Sequence, residues 1–319
     1  MSNSNEASNP TPQNATRAAA PVTNPTTTPN NPSNPNNPNP PPSGPTRTSQ
    51  TLTGFAGGLV VITRGGYGEG NASYSSSPKI RTLNQGSTVS ITTDAANNQA
   101  VGTIVVPGLR GGTATLQVGG PFVDDKTYTM LTDPARPSTF QTGANTQPLP
   151  NETVLVNFGA VPGCTCEYLT WGLWASSFTD PRNSNKSYAT IGHYVAGKLT
   201  TAVQMPTTGS ATYSGSMAGL VRDHGNTRFG TGSFQLNWNF ASRSGNFGGG
   251  FDNRNFSGAM NAHTGTPQSY SGSVSGPGVI GGVNGGFAAS PTDPAAYTLG
   301  NFSLKGSQYR ASGIFAGQR

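Results

Sequence analysis

The chain has 319 residues, of which 32% are hydrophobic and only 9% charged, with 44 glycines and 26 prolines. So little charge excludes charge-driven disorder and long amphipathic helices, and points to a core built from short strands joined by turns. The formal net charge is +6, but the basic residues are scattered singly, with no basic run and no basic helix, which argues against nucleic acid as a partner.

Residues 1–50 hold 12 of the 26 prolines and no aromatic residue. With nothing to offset the entropy of ordering, this stretch is expected to be a disordered Pro/Asn-rich leader or stalk, suited to tethering the rest of the chain to a cell surface. Its start, MSNSNEASNPTPQ, lacks the basic and apolar regions of a signal peptide. No stretch of the chain reaches the ~20 apolar residues of a membrane-spanning helix, so no integral membrane segment is expected.

From residue 51 the pattern changes. TLTGFAGGLVVITRG, STVSITTD, AVGTIVVPG, TATLQVGG, KTYTMLT, ETVLVNFGA, CEYLTWGLWASSF and ATIGHYVAGKLT are short β-branched or aromatic runs separated by Gly, Pro and Asn. They predict a β-rich, handle-like domain of about eight strands over residues 51–204. GGYGEG at 65–70 opens no helix and lacks the Lys-Ser/Thr of a phosphate loop, so it reads as a turn, as do Asp124 and Asp125 in VDDK. Cys164 and Cys166 admit either a strained disulfide or two partly buried thiols. Their strand spacing favours the thiols, and the absence of companion ligands argues against a metal site.

Residues 205–319 hold 23 of the 44 glycines. In GSFQLNWNFAS, Phe234, Leu236, Trp238 and Phe240 alternate with Gln235, Asn237 and Asn239, the period of a strand with one buried face. ATYSGSMAGLV precedes it, and SGNFGGGFD, NFSGAM, YSGSVSG, VIGGVNGGF, YTLGNFSL and YRASGIFAG come after it, each reached through a short turn. Eight such strands predict a closed antiparallel up-and-down barrel. Its interior would hold Tyr213, Phe234, Trp238, Phe247, Phe287 and Phe315, with glycines relieving the crowding. The opposite faces carry Ser, Gln, Asn and Thr, which marks the barrel as water-facing rather than lipid-facing.

The closing segment GGFAASPTDPAAYTLGNFSLKG…YRASGIFAGQR resembles the last strands of the barrel domain of the transferrin-binding protein B family. Gly286, Phe287, Ala296, Leu299, Gly300, Phe302, Gly313, Ile314, Phe315 and Arg319 fall on the family pattern. Tyr297 and Thr298 stand where the family has an acidic residue, and the chain carries one handle-plus-barrel lobe rather than two. The resemblance implies a handle domain before the barrel. It also implies a non-enzymatic bacterial binding module, outer-membrane-associated at the cell surface or secreted, linked to iron acquisition.

The residues themselves offer no convergent acid, base and nucleophile, so an enzyme is not expected and no cofactor or metal is assigned. A barrel filled by its own aromatics would bind through loops. FTDPRNSNKSY (178–188), RDHGNTRF (222–229) and NAHTGTPQSY (261–270) are the candidates, with Arg182, Lys186, Tyr188, Arg222, His224, Arg228 and His263 as contacts to a protein or small-molecule ligand. The strands around Trp171 and Trp174 are the next candidates. Two alternatives remain open: a structural or adhesive surface domain, which an exposed apolar patch would argue against, and a haem-binding protein using His193, His224, His263, Tyr194 or Tyr213.

Overall fold

Alternating small, β-branched and aromatic residues produce an almost purely β structure. The computed structural model describes residues 49–64, 78–109, 111–122, 128–159, 166 and 168–319. The expected leader through residue 48, the GGYGEG turn, Asp124, Asp125 and Cys164 lie outside the described residues. The strands are β1 (Gln50–Arg64), β2 (Lys79–Thr82), β3 (Thr88–Asp94), β4 (Gln99–Leu109), β5 (Gly112–Pro121), β6 (Tyr128–Thr132), β7 (Thr139–Thr142), β8 (Asn145–Pro148), β9 (Asn151–Gly159), β10 (Leu169–Asp180) and β11 (Asn183–Gly197). A 3-10 turn at Ala202–Gln204 leads to β12 (Ser210–Asp223), β13 (Asn226–Asn239), β14 (Ser244–Phe251), β15 (Arg254–His263), β16 (Thr266–Gly276), β17 (Val279–Ala288), β18 (Tyr297–Lys305) and β19 (Tyr309–Gln318).

Strands β12 to β19 close in sequence order into an eight-stranded antiparallel barrel, the architecture that the period-two pattern predicts. Phe234, Leu236, Trp238 and Phe240 all face inward. The interior is filled by touching rings: Phe234 stacks on Phe247 at 5.2 Å, and Trp238 meets Phe287 at 5.2 Å. Glycine provides the space, since an added Cβ at Gly300 would run into the Phe315 ring.

The preceding strands also close. They form an eleven-stranded sheet in which β4-β3-β1-β11-β10-β9-β6-β5 returns to β4 through a β4–β5 pairing. These eight ring strands correspond to the eight apolar runs of the sequence. β2, β7 and β8, only four residues each, lie outside the ring. Their residues alternate too briefly to register as strands in a sequence reading. Inside this ring Trp174, Tyr188, Tyr194, Phe122 and Phe140 are fully buried. Among the described residues its thinnest seam is β5–β6, with two cross-strand pairs. There Ser138 Oγ accepts a hydrogen bond from the Gln117 amide (2.9 Å), and the Arg136 guanidinium donates to the Val118 carbonyl (2.6 Å).

The free thiol expected at position 166 is not present. Cys166 is buried and disulfide-bonded, and the chain's other cysteine is Cys164. Burial of a residue of this type beside Leu169 and Tyr297 suits an oxidised sulfur, which carries no donor to satisfy.

Both barrels belong to one compact unit, Pro45–Arg319. β1 and β11 of the first pack on β18, β19 and β12 of the second. Phe55, Leu169, Val195, Leu299, Ile314 and Ala316 form the apolar centre of this junction. The two backbones come so close that a Cβ on Gly57 would collide with the Gly313 carbonyl oxygen. Several polar groups of the seam pair across it. The Gly58 amide donates to Ser312 Oγ at 3.0 Å, and the Asn301 side-chain amide donates to the carbonyls of Ala56 (2.8 Å), Gln85 (3.0 Å) and Ser87 (3.2 Å).

Because the obstructing atoms at Gly57 are backbone, they cannot rotate away. Gly57→Ala is expected to cost roughly 1–3 kcal/mol, read as a lower midpoint in equilibrium denaturant unfolding, while Gly111→Ala, with open space around its Cβ position, should act only through its positive φ and cost less.

Candidate binding surface

The three candidate loops are tight hairpins: at 222–229 and 261–270 they are the short turns expected between barrel strands, and at 178–188 the hairpin replaces the expected loop. Within 178–188, β10 runs to Asp180 and β11 starts at Asn183, leaving a two-residue turn. Within 222–229 only His224 and Gly225 turn, at φ of 46° and 88°, and within 261–270 the turn is Thr264–Gly265, with Gly265 at 79°. The His224–Gly225 turn, with φ positive at both residues, matches the twist of its flanking strands, and in all three hairpins the polar residues extend the ladders instead of leaving them.

At the first hairpin the carboxylate of Asp180 is buried and organises its neighbours. Arg182 donates from Nε at 3.0 Å and from Nη2 at 3.1 Å, and the Tyr188 hydroxyl donates at 3.2 Å. Burial would raise the Asp180 pKa, but the hydrogen bonds and charge of Arg182, with the Tyr188 hydroxyl, outweigh it and hold the group below the usual carboxylate range. The Arg182 guanidinium also lies 4.7 Å over the Phe140 ring. Tyr188 is not a surface contact: it is fully buried and stacked on Phe178. Lys186 is half-buried on β11, opposite Arg64.

At one end of the second barrel Arg222 donates to Thr227 Oγ1 (3.2 Å), His224 Nδ1 lies 2.8 Å from Asp223, and Arg228 pairs with Asp252 at 2.8 Å. His263 sits at the opposite end, with Nε2 2.9 Å from Ser271 Oγ. The predicted contacts therefore fall into three separate groups. The haem candidates are equally dispersed. Tyr213 and Tyr194 are buried in different barrel interiors, with the Tyr213 hydroxyl donating to the Ala295 carbonyl at 2.7 Å, and the three histidines lie apart, on β11, in the β12–β13 turn and on β15.

What the structure does bring together is an apolar outer face on the first barrel. Cross-strand register places Leu131 beside Val154, Val154 beside Ala175, and Ala175 beside Ile191. One rung along, Val156, Leu173 and His193 align. Phe158 meets Trp171 edge-on at 5.5 Å, and Trp171 stacks on His193 at 6.0 Å. The second barrel completes the row, because Phe229 of β13 meets the His193 ring at 5.6 Å. Leu131 is 60% exposed, Phe229 58%, Phe158 44% and Ile191 40%. Such large side chains seldom cluster on a water-facing sheet without a partner. Trp174, the other tryptophan of β10, points into the core. The alternation of Trp171, Leu173 and Ala175 is visible in the sequence, but the contact with Phe229 requires the docking of two barrels.

His193 is the electrostatic oddity of this surface. It is 5% exposed, its Nδ1 has no hydrogen-bond partner, and burial lowers its pKa from 6.5 to about 4.

No family model matches the chain, and no curated protein does. Among solved structures, a variant of transferrin binding protein B from Haemophilus parasuis Hp5 is 14% identical, over 86% of this chain and 76% of that one, with a TM-score of 0.37. Isotype 1 transferrin binding protein B from serogroup B Neisseria meningitidis is 10% identical, over 85% and 76%, at 0.36. A surface lipoprotein is 12% identical, over 82% of this chain and 98% of that one, at 0.32. Two of these carry the name of the family that the closing strands resemble.

The lowered pKa of His193 means that the fold prefers the neutral imidazole. Its contribution is complete above the ordinary pKa of 6.5 and is lost as pH falls from there towards about 4. Denaturant unfolding should therefore show the protein losing on the order of 2 kcal/mol more than its His193→Phe variant between pH 7 and pH 4.5. Parallel pH profiles for the two would contradict the neutral, buried state.

Proposed function

We propose that the chain is a non-enzymatic binding module of the bacterial cell surface and that the apolar outer face of β9, β10 and β11, rimmed by Phe229, is where a protein partner docks. The observation that carries this reading is the continuous run of exposed large apolar side chains from Leu131 through Ile191 and Phe158 to Phe229. The occupant is a protein with an apolar centre of its own. This face continues directly from the apolar junction between the barrels, where Trp171 already packs against buried Leu169 and Val195, and it offers aromatic anchors of the kind that dominate protein interfaces. A second, adhesive role without a discrete ligand has less support, since it gives no reason for aromatic side chains to gather on one face.

Loops enter this reading only at the rim. Arg182 is committed to Asp180, and Tyr188 to the core. Arg222, Lys186, His224, Arg228 and His263 sit away from the apolar centre and would tune rather than carry an interface.

The test is a triple variant, Leu131→Ser, Phe158→Ser and Phe229→Ser, chosen at exposed positions so that the cores stay intact. Immobilised protein should retain a specific serum or culture-medium protein that then binds in purified form with saturable 1:1 stoichiometry, and the triple variant should weaken that binding at least about a hundredfold, or about 3 kcal/mol. Equal affinity in a variant with an unchanged unfolding midpoint would place the binding face elsewhere.

A further inference from the structure

We propose that Arg222, Arg310 and Lys305 form a binding row for phosphate- or sulfate-type oxyanions on the outer surface of the second barrel. The proposal is independent of the apolar docking face. In register, Arg222 of β12 stands directly opposite Arg310 of β19, which stands directly opposite Lys305 of β18. Thr227 of β13 and Ile280 of β17 close the row at its two ends. All of these point outward, because their chain neighbours Val221, Ala311, Leu304 and Val279 are buried in the barrel core and successive strand residues alternate faces.

Three cations on adjacent strands, ~5 Å apart, repel one another and destabilise the sheet unless an anion sits between them. The barrel does not supply that anion. Residues 205–319 contain three carboxylates. Asp223 lies against His224 (2.8 Å), Arg228 (3.8 Å) and Arg254 (3.9 Å); Asp252 pairs with Arg228 at 2.8 Å; and Asp293 pairs with Arg319. None of the described carboxylates reaches the row. Five of the seven basic residues of this region gather at this one end of the barrel, namely Arg222, Arg228, Arg254, Lys305 and Arg310. The two nearby carboxylates neutralise Arg228 and Arg254 and leave the row in surplus.

The chemistry fits a multiply charged oxyanion. Thr227 fixes one edge of the Arg222 guanidinium, leaving its other N–H groups to donate, and a guanidinium matches the paired oxygens of phosphate or sulfate. An oxyanion seated over Arg310 would lie within reach of both Arg222 and Lys305, which stand one strand spacing away on either side. A soluble diphosphate-type ligand and an anionic lipid headgroup share this chemistry.

The experiment uses the full chain. Pyrophosphate should raise the thermal midpoint more than chloride at equal ionic strength and should bind measurably by calorimetry, with Arg310→Gln and Lys305→Gln each weakening it about tenfold. Arg310→Gln should also be more stable than the parent at low salt, since it relieves the repulsion. Arg243→Gln, at the opposite end of the barrel, should bind as the parent does. Sedimentation with phosphatidylglycerol vesicles, against phosphatidylcholine vesicles, separates the sources: binding to the anionic vesicles, lost in Arg310→Gln, supports a lipid headgroup, and binding to pyrophosphate alone supports a soluble ligand. Failure of both probes to bind above the chloride and phosphatidylcholine controls, or binding by both glutamine variants equal to that of the parent, overturns the proposal.

Discussion

The close approach of β1 to β19 governs everything else in this molecule. At Gly57 the backbone of the first barrel runs against Gly313 of the second at a distance that admits no side chain. That contact removes the peptide groups of both strands from water, and buried peptide groups must find partners. The partners come from side chains placed at the crossing. Ser312 accepts from the Gly58 amide, and the amide nitrogen of Asn301 is shared among three carbonyls of the first barrel's β1 and its β2–β3 connection. Asn284 adds a fourth such contact, to the Gln85 carbonyl at 2.9 Å. Directional hydrogen bonds of this kind set the angle between the barrels in a way that apolar packing alone would not.

The position of the candidate surface is a consequence of that crossing. His193 lies opposite Gly57 across the β1–β11 ladder. On the second barrel, Phe229 shares a cross-strand row with Leu220 and Ser312. Because Gly58 is bonded to Ser312, the ring of His193 and the ring of Phe229 are brought to the same place from opposite sides of the seam. Burial of the imidazole between Trp171 and Phe229 is thus a product of docking two closed sheets, and its low pKa reports the integrity of the junction as much as the local environment.

Much of this was legible in the residues, and the reasons for the rest are physical. The alternation of Phe234, Leu236, Trp238 and Phe240 against amides and hydroxyls is the direct signature of one dry and one wet face, and it predicts both the strand and its orientation. The eight runs of the first barrel were equally visible, but closure was not, because it depends on β1 pairing with β11 at the far end of the domain and on a two-pair β5–β6 seam, neither of which a local pattern encodes. The polar stretch at 178–188 looked like a loop since Asn, Ser and Lys are poor strand formers. Pairing with β1 and β10 overrides that preference, and the buried Asp180 carboxylate needs Arg182 and Tyr188 beside it. The apolar face escaped a one-dimensional reading because its members come from β6, β9, β10, β11 and β13, nearly a hundred residues apart.

The apolar face and the cationic row are also neighbours in space, which neither suggests when considered alone. Phe229 and Thr227 lie two residues apart on β13 and so share its outer side. Phe229 ends the apolar face, and Thr227 begins the row that continues through Arg222 and Arg310 to Lys305. The outer surface therefore passes from aromatic to cationic within one step of a strand. The barrel end supplies charge that its own carboxylates leave unbalanced, while the first barrel supplies apolar area that its own core leaves uncovered. Each half of this surface carries a cost to the isolated chain, electrostatic in one case and hydrophobic in the other, and the proposed partner and anion would relieve both.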